Sequence, residues 1–346
     1  MLIDCFEREQ NMKVITCAGF YRTGSSAISH MFSEFENVYS FGDFEFRFIQ
    51  DPDGISDLEY NICENPHRHN TSYAIKRFIK YSKFLNGSFY SKRYSGYFGE
   101  DYMKYTMDYV NNITELICKT WWHRDQIDRG GLFYFLDRVY SHIYYLFDRR
   151  KFNTSMLKNE LGYYTSIDKD RFYAETRNYI NRLLNLCNKD NKEFLMLDQL
   201  VPPTNIARYL NYFDDLKVIV VERDPRDLYI IENESYAWGI MPYKNVKEFC
   251  EWYKITRKQA IHPENPNVIW INFEDLIYKY EKTRQKLMDF TGVTATEGDR
   301  KKTIFRPDVS INNTLLYKKL TKYQADVEYI EKELPDFLYT VSEEKK

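Results

Sequence analysis

The residues best placed to do chemistry lie near the start of the chain, in Gly19-Phe20-Tyr21-Arg22-Thr23-Gly24-Ser25-Ser26-Ala27, directly after the apolar run Val14–Ala18. A buried strand, a turn of small residues and a helix start make a cradle of backbone N–H groups, which is the physical solution for holding a phosphate. The spacing is G-x-x-x-x-G followed by two residues, the second a serine, as in a phosphate-binding loop. Such a loop uses a lysine to reach the β- and γ-phosphates of ATP. Here Ser25 stands in its place, and a cation appears instead at Arg22, two residues before the second glycine. The plainer reading is a strand–turn–helix connection in which Gly24 and the serines only cap the helix.

A second candidate group follows another strand-like run, Lys217–Glu222. It is Arg223-Asp224-Pro225-Arg226-Asp227. Asp224 reads as a helix N-cap and Pro225 as the first helical residue. Capping does not explain two arginines at the positive end of a helix dipole, an unfavourable place unless an anion binds there. A third group, Gly42-Asp43-Phe44-Glu45-Phe46-Arg47-Phe48, follows the short strand Asn37–Phe41. Alternation puts Asp43, Glu45 and Arg47 on one face and the phenylalanines on the other. A carboxylate packed near aromatic rings would have its pKa raised toward neutrality, as a base working near pH 7 requires. The plainer alternative is an acidic edge that only meets solvent.

Gly19–Ser26 fits G-x-x-[KR]-[ST]-G-[ST]-[ST] throughout. Together with Arg223–Asp227 after a later strand, it resembles the sulfotransferase family that uses PAPS (3′-phosphoadenosine 5′-phosphosulfate). The resemblance implies an α/β fold, a P-loop three-layer sandwich with a central parallel sheet. It also implies metal-free transfer of a sulfuryl group to a hydroxyl or amine, with 3′,5′-ADP as the product. Tyr21, Arg22, Thr23, Gly24, Ser25 and Ser26 would hold the 5′-phosphosulfate, Arg22 would stabilise charge on the leaving oxygen, and Arg223 would grip the 3′-phosphate. The family usually has a serine eight residues beyond that arginine, where this chain has Ile231. Arg226 or Ser235 is therefore expected to complete the contact. Phe273-Glu274-Asp275-Leu276 resembles the family's late strand–helix element, with Asp275 as an N-cap. Lys301–Pro307, with Lys302 and Arg306, resembles the basic segment that closes over the nucleotide. The glycan- and protein-modifying branch places a carboxylate base after the loop helix, which makes Glu45 the first choice and Asp43 the second, with His123 an alternative. The resemblance covers roughly residues 13–50 and 194–315. Two other classes stay open. One is a P-loop kinase or NTPase with Asp198 on Mg²⁺, and the other is a non-catalytic nucleotide-binding relative, for which Ile231 speaks.

To bring these groups together the chain needs a parallel sheet. Strand-like runs occur at Lys13–Cys17, Val38–Phe41, Phe194–Leu197, Lys217–Val221 and Val268–Asn272, with helices between. Right-handed crossovers place the loops after all these strands at the carboxyl edge, where ligands bind in open α/β sheets. A helix patterned Leu276, Tyr280, Thr283, Leu287, Phe290 is expected to stop at Gly292. Residues 1–50 and 191–346 read as the nucleotide-binding core, and 51–190 as a long helical insertion without strands. Helices are expected there over Tyr102–Thr120 and Phe172–Cys187.

The insertion is expected to be a cap that binds the acceptor. A glycan or lipid-linked saccharide leads, with a sterol or other lipid alcohol second. Trp121, Trp122 and His123 form its most site-like patch, because aromatic faces stack on sugar rings or sterol skeletons, although two tryptophans also suit a core. From the core, Arg47, Asp198 and Gln199 are expected to line the acceptor, the last two alternatively supporting the loop.

Composition sets the remaining bounds. A net charge of −2 over 346 residues gives no general pull toward nucleic acid. The six cysteines are scattered without a C-x-x-C and read as reduced thiols rather than a disulfide framework or zinc site. His67-Arg68-His69 lacks a third ligand nearby, so no metal is assigned. No run reaches membrane-spanning length, and the first strand begins near residue 13, so a cytoplasmic, bacterial enzyme is expected.

Overall fold

Five of the apolar runs pair into one parallel sheet. The computed structural model of the chain describes residues 12–88, 91–149, 154–236, 239–260 and 264–340. Its strands are β1 (Lys13–Gly19), β2 (Val38–Glu45), β3 (Phe194–Asp198), β4 (Leu216–Glu222) and β5 (Val268–Asn272), in the order β2-β3-β1-β4-β5. Every pairing in that sheet is parallel. All of β3 and Val218–Val221 of β4 are buried, as strands covered on both faces must be. From β1 the chain crosses to the β2 edge, whereas from β4 it continues to β5 on the other side. The crevice beyond β1 and β4 is therefore the topological switch point, the place where open α/β sheets bind ligands. Helix α1 (Ser25–Phe32) leaves β1 and packs Ile28, Met31 and Phe32 onto Ile15, Cys17, Met196 and Ile219.

The chain divides into two compact units, residues 1–47 with 188–346, and residues 48–187. The second is built on helices α2 (Arg68–Asn86), α3 (Asp101–Asn112), α4 (Gly130–Phe147) and α5 (Lys169–Cys187). Tyr109 and Tyr179 stack at 4.7 Å between α3 and α5, and each hydroxyl bonds at 2.8 Å to a threonine of the other helix, Thr176 and Thr106. Two expectations are corrected here. The unit is not free of strands, since residues 87–88 pair with 91–92 and Leu116–Lys119 pair antiparallel with Leu161–Tyr164. The helix expected over Tyr102–Thr120 ends at Asn112, because Asn111-Asn112 are weak helix formers and the β-branched Ile113 and Thr114 follow them.

In the sheet unit, α6 (Pro225–Ile231) follows β4, and α7 (Val246–Lys258) packs Phe249 and Tyr253 with Leu228 and Tyr229 of α6. After β5 come α8 (Phe273–Tyr278) and α9 (Tyr280–Thr291), and later α10 (Gln324–Glu333). The single helix expected up to Phe290 is therefore two, broken where Lys279 takes φ −129° and ψ 39°. Gly292, at φ 77°, ends the second. Asn272, not Asp275, occupies the N-cap position of α8.

Candidate functional site

The loop from β1 to α1 turns on residues that L side chains rarely allow. Tyr21, Arg22 and Gly24 have φ of 81°, 57° and 93°. Left-handed residues in such a turn create the concave backbone nests that receive anions, and strained backbone of this kind concentrates at ligand clamps. Both glycines have a steric reason. A Cβ on Gly19 would meet the Thr23 hydroxyl, and one on Gly24 would enter the ring of Phe273. The first turn of α1 has no side-chain cap, so the N–H groups of Ser25 and Ser26 have no intrahelical acceptor. Thr23 is buried, and its hydroxyl has no hydrogen-bond partner among the described residues. Ser26 is half-buried. The Tyr21 ring packs instead on the cluster around Leu228 and Tyr229.

Residues at the end of β3 brace this loop. Thr16 Oγ1 donates to the Leu197 carbonyl at 2.9 Å and accepts from the Leu200 N–H at 3.1 Å, which fixes the chain leaving β3 against β1. Gln199, at φ 52°, accepts weakly from the Gly19 N–H at 3.4 Å and donates to Ser25 Oγ at 2.8 Å. Asp198 accepts from the Cys17 thiol at 2.9 Å. Burial pushes its carboxyl up to about 6, and the negative charges of Glu45 and Asp43 add to that. The same burial, with Asp198 beside it, raises the Cys17 thiol. Asp198 thus bonds to β1, while Gln199 contacts both ends of the loop.

The second motif reaches the first directly. Arg223 is buried; its Nη1 donates to the Arg22 carbonyl at 3.2 Å, its Nη2 donates to the Asn313 carbonyl, and its guanidinium lies 4.9 Å from the centre of the Phe273 ring. Glu274 accepts from the Asp224 N–H at 2.9 Å, and burial raises its carboxyl to about 7 despite Arg223 nearby. Asp227, raised to about 6 by burial, accepts from the N–H groups of Leu315 at 2.6 Å and Leu316 at 2.7 Å. These bonds pin the segment 313–317 over the start of α6. A π-helical turn over Glu232–Tyr236 extends α6 and places fully buried Glu232 3.7 Å from Arg22 Nε.

Other expected site residues lie elsewhere. Arg226 turns away from the cradle, donating to Asp224 at 2.6 Å and Glu331 at 2.7 Å while it stacks on Tyr317. Ile231 is buried in α6, and Ser235 is exposed in the π-turn. Lys302 belongs to the opposite end of α1. The N–H groups of residues 302–305 all donate to buried Glu34, at 2.8–3.1 Å, some nine residues and about 13 Å of helical rise beyond Ser25. The Lys302 ammonium pairs with Glu281 at 3.1 Å, and exposed Arg306 with Asp308 at 2.6 Å. Glu45 shares the exposed face with Asp43 and Arg47, as alternation requires, but it lies in solvent 3.3 Å from Arg47 rather than among the rings. The raised carboxylate at this edge is its ladder partner, Asp198. Sequence reasoning missed Glu34, Glu232, Glu274 and Asp227, whose roles depend on partners far away in the chain.

Within the second unit, Trp121 and Trp122 line a cavity of about 710 Å³ with Tyr73, Lys76 and Arg77. Trp122 stacks on His69 at 3.7 Å. His123 does not line it; its Nδ1 bonds to Gln126 Oε1 at 3.1 Å.

No protein-family model matches the chain, and none of the curated proteins matches it. Among solved structures it is similar to the sulfotransferase domain from the curacin biosynthetic pathway, with 15% identity and a TM-score of 0.39 over 95% of this chain and 99% of that one. It is similar to sulfotransferase STF1 from Mycobacterium tuberculosis H37Rv, with 10% identity and a TM-score of 0.36 over 94% and 77% of the two chains. A third is retinol dehydratase in complex with androsterone and inactive cofactor PAP, with 12% identity and a TM-score of 0.31 over 96% and 83%. Likeness at this level carries no argument about chemistry, which must come from the chain's own residues.

Proposed function

We propose that this chain is a PAPS-dependent sulfotransferase, in the branch that uses a carboxylate base. The observation that carries the reading is the bond from Arg223 Nη1 to the Arg22 carbonyl, 3.2 Å long, which joins two anion-binding motifs 201 residues apart at one sheet edge. The donor set fits a phosphorylated, sulfonated nucleotide. The uncapped N–H groups of Ser25 and Ser26 and the unpartnered Thr23 hydroxyl would hold the 5′-phosphosulfate with Arg22 and Gly24, and Arg223 the 3′-phosphate. PAPS supplies an activated sulfuryl group when bound. Glu45, or Asp43 beside it, takes the proton of the attacking acceptor hydroxyl or amine. Arg22 stabilises the charge that develops on the leaving side. Gln199 positions Ser25.

A kinase reading fits less well. Ser25 stands where such a loop needs the lysine that reaches the β- and γ-phosphates. The acceptor is proposed to be a glycan or lipid-linked saccharide, with Trp121 and Trp122 as stacking faces; a sterol is second. Incubation with labelled PAPS, chelator and a panel of saccharides and sterols is expected to move label to a saccharide and release 3′,5′-ADP. Hydrolysis or transfer of the ATP γ-phosphate under the same screen with Mg²⁺ would contradict the reading.

A further inference from the structure

Helix α4 has a face that no part of this chemistry uses. Its inner side is anchored by buried Asp137, which accepts from the Gln126 amide, from Ser155 Oγ at 3.0 Å and from the Met156 N–H at 2.6 Å. The outer side carries Leu132, Leu136, Val139, Ile143 and Leu146, flanked by Phe135 and Phe147. All seven are exposed, from 39% at Val139 to 87% at Phe147. On a helix of 3.6 residues per turn they fall within an arc of about 120°. No helix among the described residues, α4 included, is long and apolar enough to cross a membrane.

Three features choose the occupant. The aliphatic residues are spaced four, three, four and three apart, the register of a helix–helix seam. A helix lying in a membrane interface carries lysines and arginines along its polar face, but the face opposite the stripe here holds buried Asp137. The area also suits a protein partner. Taking roughly 200 Å² for a fully exposed large apolar side chain, the seven present on the order of 800 Å². A standard stable interface buries about 800 Å² from each partner. The positions flanking the seam, Phe133, Phe135, Tyr140, His142 and Phe147, include no carboxylate, so neither a parallel nor an antiparallel pairing sets carboxylate against carboxylate.

We propose that α4 is a homodimer interface, its stripe packed on the same stripe of a second copy across a two-fold axis. Val139 is the middle residue of the five, so it meets its counterpart in either orientation. Sedimentation of the full chain is expected to give a dimer. Leu136→Glu/Ile143→Glu is expected to halve the mass and leave the far-ultraviolet circular dichroism unchanged, because both positions are exposed in the single chain. Val139→Cys should cross-link two chains under mild oxidation, beyond any cross-linking of the wild type, and Arg138→Cys should not. A monomeric wild-type chain, or a dimer that survives the double substitution, overturns the proposal. So does a monomer that cosediments with phosphatidylglycerol vesicles and loses them on the double substitution, which would assign the stripe to a lipid surface.

Discussion

Glu45→Gln keeps the shape of the proposed base and removes its proton affinity. It is expected to bind 3′,5′-ADP as the wild type does and to turn over slower by on the order of 10²–10⁴. Full activity in that variant would hand the role to Asp43 or Asp198. Arg22 is a harder residue to test, because its Nε lies 3.7 Å from Glu232, which is fully buried. Arg22→Ala removes a cation from beside that carboxylate and should lower the melting temperature as well as activity, the activity by roughly two to three decades. Arg22→Ala/Glu232→Gln separates the two effects. The double variant is expected to regain thermal stability and not turnover, and recovery of turnover would place Arg22 outside the chemistry.

At the scale of elements, the start of α6 and the start of α8 set two raised carboxyls beside Arg223. Asp227 is pushed up to about 6 and Glu274 to about 7, in both cases chiefly by burial. Because these folded-state values lie above the ordinary carboxylate range, the folded chain holds more protons than the unfolded one. Their contribution to stability therefore falls as pH rises from about 4 to about 7. The same charging places negative groups next to the proposed 3′-phosphate site. Glu274→Gln should accordingly bind 3′,5′-ADP more tightly than the wild type at about pH 8 and match it near pH 5.5, measured by calorimetric titration. An affinity ratio that does not change with pH would remove Glu274 from the site. The five core strands were legible because parallel strands buried on both faces are written as continuous apolar runs. The cradle loop was legible because Gly19 and Gly24 answer local steric demands. The surroundings of Arg226 and Lys302 were not legible because Glu331, which joins Asp224 on the one, and Glu34 and Glu281, which hold the segment of the other, lie far off in sequence. The exposure of Glu45 follows from the same alternation that groups it with Asp43, which keeps it away from the rings.

Over the whole molecule, a net charge of −2 gives no long-range attraction for a nucleotide, so the proposed recognition rests on the few donors at the sheet edge. The three readings of that edge differ in what they bind. The proposed enzyme takes a 3′-phosphorylated nucleotide without a metal, a kinase takes Mg-ATP, and a non-catalytic relative binds the first without transferring anything. Thermal denaturation in chelator with added 3′,5′-ADP tests the central claim most directly. At a hundredfold excess over Kd the ligand is expected to stabilise the fold by about 2.7 kcal/mol, with no added effect of Mg²⁺. No shift with 3′,5′-ADP, together with a clear one from Mg-ATP, would contradict the account.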